Sequence, residues 1–152
     1  MLNETVVVFG ASGFLGSHVA DALSTAGYKV RLFDRSPSPY LKSNQEMIIG
    51  DIMNLDQVIE AAKGTSIVYN FAAIADIDEA NDKPIPTATI NVLGNMHALE
   101  AARIAGARRF VFASSIYVYS ESGSFYRASK QAAERFTETY HDRYGLDYSI
   151  LR

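Results

Sequence analysis

The sequence predicts a doubly wound α/β domain on a parallel sheet. Three observations predict it: short apolar runs alternate with longer helical stretches, the runs are apolar on consecutive residues, and a glycine stands just past each helical stretch. Consecutive apolar residues mark strands covered by helices on both faces, which is the condition of a parallel sheet. The predicted strands are residues 6–9, 30–33, 47–49, 67–71, 110–113 and 148–151. The predicted helices are 14–26, 55–62, 86–105 and 126–144. Gly27, Gly64, Gly106 and Gly145 supply the left-handed residue that ends a helix. Right-handed crossovers then put helices on both faces of one sheet.

Length and composition bound the rest. A chain of 152 residues fits one domain with a single core. Hydrophobic residues at 48% and charged residues at 20% exclude a disordered chain. A net charge of −3 argues against nucleic acid as the main partner, because phosphate binding needs a basic face. With no cysteine, a disulfide scaffold, a thiolate nucleophile and a cysteine metal site are excluded, and a reducing cytoplasm is the expected compartment. No stretch approaches the roughly 20 apolar residues of a membrane helix, and the first four residues lack the basic start of a signal peptide.

The chemistry gathers at the strand ends. The first strand stops at Gly10-Ala11-Ser12-Gly13-Phe14-Leu15-Gly16, which opens a helix. Gly10 permits the tight turn, Gly13 lets backbone approach a diphosphate, and Gly16 lets the helix pack closely on the sheet. The amides of Ser12, Gly13, Phe14, Leu15 and Gly16, at the positive end of the helix, then suit the phosphates. The second strand ends on Asp34, about 20 residues past the glycines, where a carboxylate can accept both ribose hydroxyls of an adenosine and repel a 2′-phosphate. This favours NAD over NADP, although Arg35 beside it is a residue that can accommodate a 2′-phosphate. The turn 36–39 then crosses the surface. Gly50-Asp51-Ile52 ends the third strand and Asn70-Phe71-Ala72-Ala73 the fourth; small residues there let the chain pass close to a flat ligand. Asp51 serves equally as a residue of the cap of the next helix.

The fifth strand ends at Ala113-Ser114-Ser115, where a serine can donate a hydrogen bond to a substrate oxygen. After the loop 120–124, read as a mobile stretch, come Tyr126 and Lys130. These stand four residues apart and so share one helix face. A free phenol titrates at about 10, too high for a base at neutral pH, and a nearby ammonium favours its phenolate.

Gly10-x-x-Gly13-x-x-Gly16, Asp34, Asp51-Ile52, Phe71-Ala72-Ala73, Asn91-Val92-x-Gly94, Ser114-Ser115-x-x-Val118-Tyr119 and Tyr126-x-x-x-Lys130 occur in that order. Together they resemble the extended short-chain dehydrogenase/reductase family, the NAD-dependent epimerase/dehydratase group, from residue 5 to 152. The resemblance implies a Rossmann domain that binds NAD and, as activity, epimerisation of a nucleotide sugar by hydride transfer. The alternatives are an NAD(P)-dependent carbonyl or sugar reductase and a dinucleotide-binding module without turnover. It implies Ser115 as the catalytic Ser/Thr, Tyr126 as the base and Lys130 as its partner and as a contact of the nicotinamide ribose. Gly10, Gly13 and Gly16 match the diphosphate loop, Asp34 the ribose acid, and Asp51-Ile52 the adenine contact, with Asn91 structural. In the family, residues 149–152 fall in the sixth strand and most substrate-binding residues follow it, so the fold expected here lacks most of that C-terminal region. The dehydratases of the group carry an Asp-Glu pair where this chain has Ile116 and Tyr117. Ile116 cannot transfer a proton, so epimerisation or reduction is preferred to dehydration.

Other residues read as structural. His18, His97 and His141 have no second ligand at metal spacing and are assigned to helix surfaces or packing. Arg108-Arg109 reads as a solvated strand start, and Tyr140 and Tyr144 as core or interface. Val92, Met96 and Leu99 share one face of their helix, as Ala132, Phe136 and Tyr140 do on theirs. Family members pair these helices across a two-fold axis, which implies a homodimer.

Overall fold

The computed structural model describes residues 4–152. Its centre is β1 (Thr5–Phe9), in which Val6, Val7, Val8 and Phe9 are all fully buried. Such a strand must have neighbours on both edges and cover on both faces. It pairs in parallel with β2 (Lys29–Asp34) on one side and β4 (Ile67–Asn70) on the other. β3 (Gln45–Ile49) extends the first side, and β5 (Arg109–Ala113) followed by β6 (Tyr148–Leu151) the second. The order is β3-β2-β1-β4-β5-β6, every pair parallel. It reverses direction between β1 and β4, and a ligand crevice opens at the carboxyl ends of strands where such a reversal occurs.

Alternation of side chains splits the core in two. Val7 and Phe9 pack with Phe110 and Phe112, and against Val58 of α2 (Leu55–Ala62), Leu99 of α5 (Gly94–Ile104) and Ala133 of α6 (Ser124–Tyr144). Val6 and Val8 pack on the opposite face with Leu32 and Val111, against Ala20 of α1 (Phe14–Thr25). Phe9 and Phe33 meet edge to face, with centroids 5.2 Å apart. Side chains of this size contribute about 1.5–3 kcal/mol each when fully buried. Gly27, Gly64, Gly106 and Gly145 all take positive φ, between 66° and 94°.

The structure departs from the sequence reading at three places. The stretch expected as one helix over 86–105 is three pieces: α4 (Pro84–Ala88), a π-helical turn (Thr89–Leu93) and α5. Two prolines in the first turn of α4 are tolerated because first-turn amides have no helical acceptor to lose. The π turn inserts into the register and leaves Asn91 buried. Between β4 and α4 lies α3 (Ile77–Asp82), where no helix was expected. Its polar, acidic sequence lacks apolar periodicity, yet Asp76 accepts from the Glu79 amide at 2.8 Å, and an Asp with Glu three residues on is a helix-start signature. Finally, the stretch after Ser115 holds a short 3₁₀ turn (Ile116–Tyr119), and the 120–124 loop is tied down: the Arg127 guanidinium donates to the Ser120 carbonyl at 2.7 Å.

Candidate functional site

A cleft of about 210 Å³ lies at the carboxyl ends of β1–β4, the point of reversal. Of the residues singled out in the sequence, Gly10, Gly13, Asp34, Arg35, Asp51, Ile52, Phe71, Ala72 and Ala73 line it. Gly50, the small residue expected at the end of the third strand, lines it as well. Phe33, Met53, Ile74 and Ile90 complete the lining and were not anticipated. Ile90 could not have been, because its position depends on the π turn. Ser12, Phe14, Leu15, Gly16, Ser115, Tyr126 and Lys130 do not line this cleft.

The glycine turn is fixed by contact and by conformation. Gly10 has φ +75°, and a Cβ there would come within 2.5 Å of the Ala72 amide nitrogen. A Cβ on Gly16 would lie 2.2 Å from the Gly10 carbonyl oxygen. Gly13 precedes α1, and no side chain caps the helix. The first helical bond runs from the Ser17 amide to the Gly13 carbonyl at 3.0 Å. The amides of Phe14, Leu15 and Gly16 are therefore donors with no helical acceptor, at the positive end of a 12-residue helix. Ser12 is already engaged. Its amide donates to Asp34 Oδ2 at 2.9 Å and its hydroxyl to the Ser36 carbonyl at 2.7 Å.

Asp34 is thus held in place by backbone. Oδ1 accepts from the Arg35 amide at 2.7 Å and Oδ2 from Ser12, which leaves each oxygen a further lone pair facing the cleft. A free amide row, a turn too tight for any Cβ, and a fixed carboxylate across the switch point fit the diphosphate and adenosine ribose of a dinucleotide. Asp51 does not cap α2. That role belongs to Asn54, which accepts from the Gln57 amide at 3.2 Å, while Asp51 Oδ1 accepts from the Met53 amide.

The second group of residues sits where β5 meets α6. Lys130 is 4% exposed, and its Nζ donates to the Ala113 carbonyl at 2.7 Å. The ammonium lies 5.7 Å from the centre of the Tyr126 ring and 5.0 Å from that of Phe112. Burial lowers its pKa to about 8, because a dry surrounding disfavours the charged amine. Tyr126 is buried to 9% exposure, with the Tyr117 ring edge-on at 6.4 Å.

The two serines differ in what their hydroxyls have left to offer. Ser114 Oγ donates to Glu134 Oε1. Ser115 Oγ accepts from the Tyr117 amide at 3.3 Å, capping the 3₁₀ turn, so its own proton remains available.

Asn91 joins the two groups of residues. Its side chain accepts from the amide of Ile74, a wall of the cleft, at 2.7 Å and donates to the Ile74 carbonyl at 2.9 Å. It also donates to Ser129 Oγ at 2.9 Å, and Ser129 donates to the Tyr126 carbonyl at 2.7 Å. The cleft and the Tyr126–Lys130 face are therefore on the same edge of the sheet, linked through one buried amide. The histidines bond backbone: Nδ1 of His18 and His141 pairs locally with the Phe14 and Leu146 carbonyls, and Nδ1 of His97 pairs with the distant Ile52 carbonyl. Arg108 pairs with Glu4 at 3.0 Å, and Arg109 donates to the Tyr148 carbonyl.

A six-stranded parallel sheet with this order, a glycine turn leading into a helix and an acid at the end of the second strand define a Rossmann domain. The chain belongs to the NAD dependent epimerase/dehydratase family, whose model matches residues 6–152. It is 31% identical to a putative UDP-glucose 4-epimerase of Methanocaldococcus jannaschii, over 97% of this chain and 54% of that protein. It is 34% identical to a 3-beta-hydroxysteroid dehydrogenase of Mycolicibacterium neoaurum, over 72% of this chain and 31% of that protein. The crystal structure of the UDP-glucose 4-epimerase from Brucella ovis in complex with NAD superposes with a TM-score of 0.90 at 28% identity, covering 98% of this chain and 51% of that one. The chain thus spans from about a third to about half the length of these relatives. No described helix is long and apolar enough to cross a membrane.

Proposed function

We propose that this chain is the NAD-binding Rossmann half of a nucleotide-sugar epimerase, the N-terminal part of a longer architecture. The observation that carries the reading is the cleft at the sheet reversal, which starts at an uncapped helix and a fixed carboxylate and ends on a wall tied by Asn91 to the face of Tyr126 and Lys130. The amides of residues 14–16 would hold the diphosphate, Asp34 the adenosine ribose, Ile52 and Asp51 the adenine, and residues 71–73 the middle of the cofactor. NAD, when bound, supplies the acceptor and donor of hydride. Tyr126 takes the proton of a sugar hydroxyl, the buried charge of Lys130 favours the phenolate that does so, and Ser115 donates to the same substrate oxygen. The likeness to the UDP-glucose 4-epimerase of Brucella ovis supports the sugar, and a cysteine-free sequence suits the cytoplasm.

Calorimetric titration tests the cofactor. The chain is expected to bind NAD at least tenfold more tightly than NADP, because a 2′-phosphate beside the Asp34 carboxylate meets like charge. Asp34→Asn should narrow that ratio by about tenfold, mainly through weaker NAD. Equal affinity for both in the unaltered chain would remove Asp34 from the ribose site. A second reading, an apolar-alcohol dehydrogenase, is favoured by two observations: Ile116 and Tyr119, on the turn that follows Ser115, are exposed apolar side chains, and the Mycolicibacterium neoaurum relative is a hydroxysteroid dehydrogenase.

The homodimer is proposed on a revised face. Leu99 is fully buried in the core and takes no part in it. Leu93 on the π turn and Phe136 on α6 are exposed, with Met96, Ala132 and Tyr140 half-buried beside them. Light scattering at micromolar concentration is expected to give twice the protomer mass. Phe136→Glu should return it to one protomer, and a single-protomer mass for the unaltered chain ends the proposal.

A further inference from the structure

Tyr126, Lys130 and Glu134 stand on successive turns of α6, four residues apart, and therefore line one helix face. Lys130 and Glu134 are thus placed to pair with each other, as opposite charges at this spacing do. They do not. Lys130 donates to the Ala113 carbonyl, and burial alone sets its proton affinity. The Glu134 carboxylate, its side chain only 7% exposed, is already engaged on both oxygens: Arg152 Nε donates to Oε1 at 2.9 Å, Arg152 Nη2 donates to Oε2 at 2.8 Å, and Ser114 Oγ donates to Oε1. The Arg152 guanidinium is itself stacked over Tyr119, 5.1 Å from the ring centre. Burial alone would raise the carboxyl's pKa, yet the bonds from Arg152 and Ser114 outweigh it and hold Glu134 ionised.

The same carboxylate fixes the strand tip. Ser114 lies between Ala113, whose carbonyl holds Lys130, and Ser115, and its own amide donates to the Leu151 carbonyl at 2.8 Å. Lys130 and Glu134 therefore grip Ala113, the last residue of β5, and Ser114, the residue after it, from adjacent turns of one helix.

We infer that Arg152 and Glu134 are positioning residues of the site: by occupying both oxygens of Glu134, Arg152 keeps that carboxylate from capturing Lys130, and so leaves the lysine directed at Tyr126 and the Ala113 carbonyl. Without Arg152 a buried, unpaired carboxylate stands one turn from a buried ammonium, and the two collapse into an ion pair. The other ionisable groups on the elements around α6 are Tyr117 and Tyr119 on the 3₁₀ turn, the exposed Asp78, Glu79 and Asp82 of α3, Tyr148 of β6, His97 of α5, whose Nδ1 bonds the Ile52 carbonyl, and Glu100 with Arg103 of α5, which pair with each other. None of them competes for Lys130.

The inference rests on the proposed function only for the role of Lys130 at the cofactor, and its test separates the two. In lysine-labelled protein, the ¹³Cε resonance lost in Lys130→Met is followed against pH in the unaltered chain, Arg152→Gln, and the pair Arg152→Gln with Glu134→Gln. Arg152→Gln is expected to raise the Lys130 midpoint by about one unit or more, because an uncompensated carboxylate then faces the ammonium at low dielectric. The double variant should return it to within about half a unit of the starting value. NAD affinity, by calorimetry, should fall about fivefold or more in the single variant and recover in the double. A merely structural role predicts the double variant to be at least as impaired as the single. An unmoved midpoint in Arg152→Gln, or no return in the double, overturns the inference. Arg152 follows β6 and lies outside both core clusters, so the single variant is expected to fold. Should it not, Arg152→Lys keeps the charge, and a rise in midpoint of a full unit there overturns the inference equally. A chain that binds no NAD at all would defeat the proposed function and leave the lysine titration to decide the clamp.

Discussion

Gly10→Ala is expected to abolish NAD binding and to cost about 2–5 kcal/mol of folding stability, combining left-handed strain with overpacking. Gly10 has φ +75°, a conformation that disfavours any side chain. Its missing Cβ would also stand 2.5 Å from the Ala72 nitrogen and 2.6 Å from the Phe71 carbonyl carbon. Both are backbone atoms on the floor of the cleft, so no rotamer change relieves the contact. Either β1 and the segment after β4 move apart, or the turn unwinds, and each displaces the amides of residues 13–16. Gly64 separates strain from packing. It has φ +70° with nothing within 4 Å of a built Cβ, so Gly64→Ala should cost only about 1–2 kcal/mol, the strain alone. Urea denaturation of the two variants measures the difference. Equal losses would mean that the close approach of Gly10 to Ala72 contributes nothing.

Lys130→Met carries the second large effect, and it is a dependence on pH. The folded pKa of Lys130, about 8, lies below the 10.5 of the free side chain. Between those values the unfolded chain holds a proton that the folded chain has released, so stability rises with pH across that window. The penalty of burying the charge is in full force below pH 8 and is relieved by pH 10.5. A shift of this size corresponds to about 3 kcal/mol. Relative to Lys130→Met, the unaltered chain should therefore gain about 3 kcal/mol between pH 7 and pH 10.5. Denaturation curves for both proteins at several pH values read this directly, and parallel curves would show that the ammonium is not desolvated. The methionine variant should also bind NAD more weakly. A buried charge kept at the expense of stability marks a group retained for chemistry.

Much of this was readable from residues alone, and the reason is local. The inner strands β1 and β5 are short and apolar because neighbours cover both faces, so they stood out without any knowledge of pairing. The glycine turn and Asp34 are fixed by spacing along the chain, and the Tyr126–Lys130 pair by helix periodicity. What could not be read depends on tertiary contact. The π turn that buries Asn91, and with it the link between Ile74 and Ser129, follows from packing of α5 and α6 rather than from local preference. The burial of Leu99 likewise reflects which face of α5 meets the sheet, and periodicity alone cannot tell a core face from an interface. The partner of Glu134 is Arg152, 18 residues away, and nothing in the sequence pairs them.

The central claim is that one dinucleotide spans the carboxyl edge of the sheet. A crystal structure of this chain grown with NAD tests it most directly. The account predicts the diphosphate against the amides of residues 14–16, the adenosine ribose on Asp34 and the nicotinamide beside the Tyr126 phenol. A cofactor bound with its nicotinamide away from Tyr126, or with its diphosphate off the glycine turn, would contradict it.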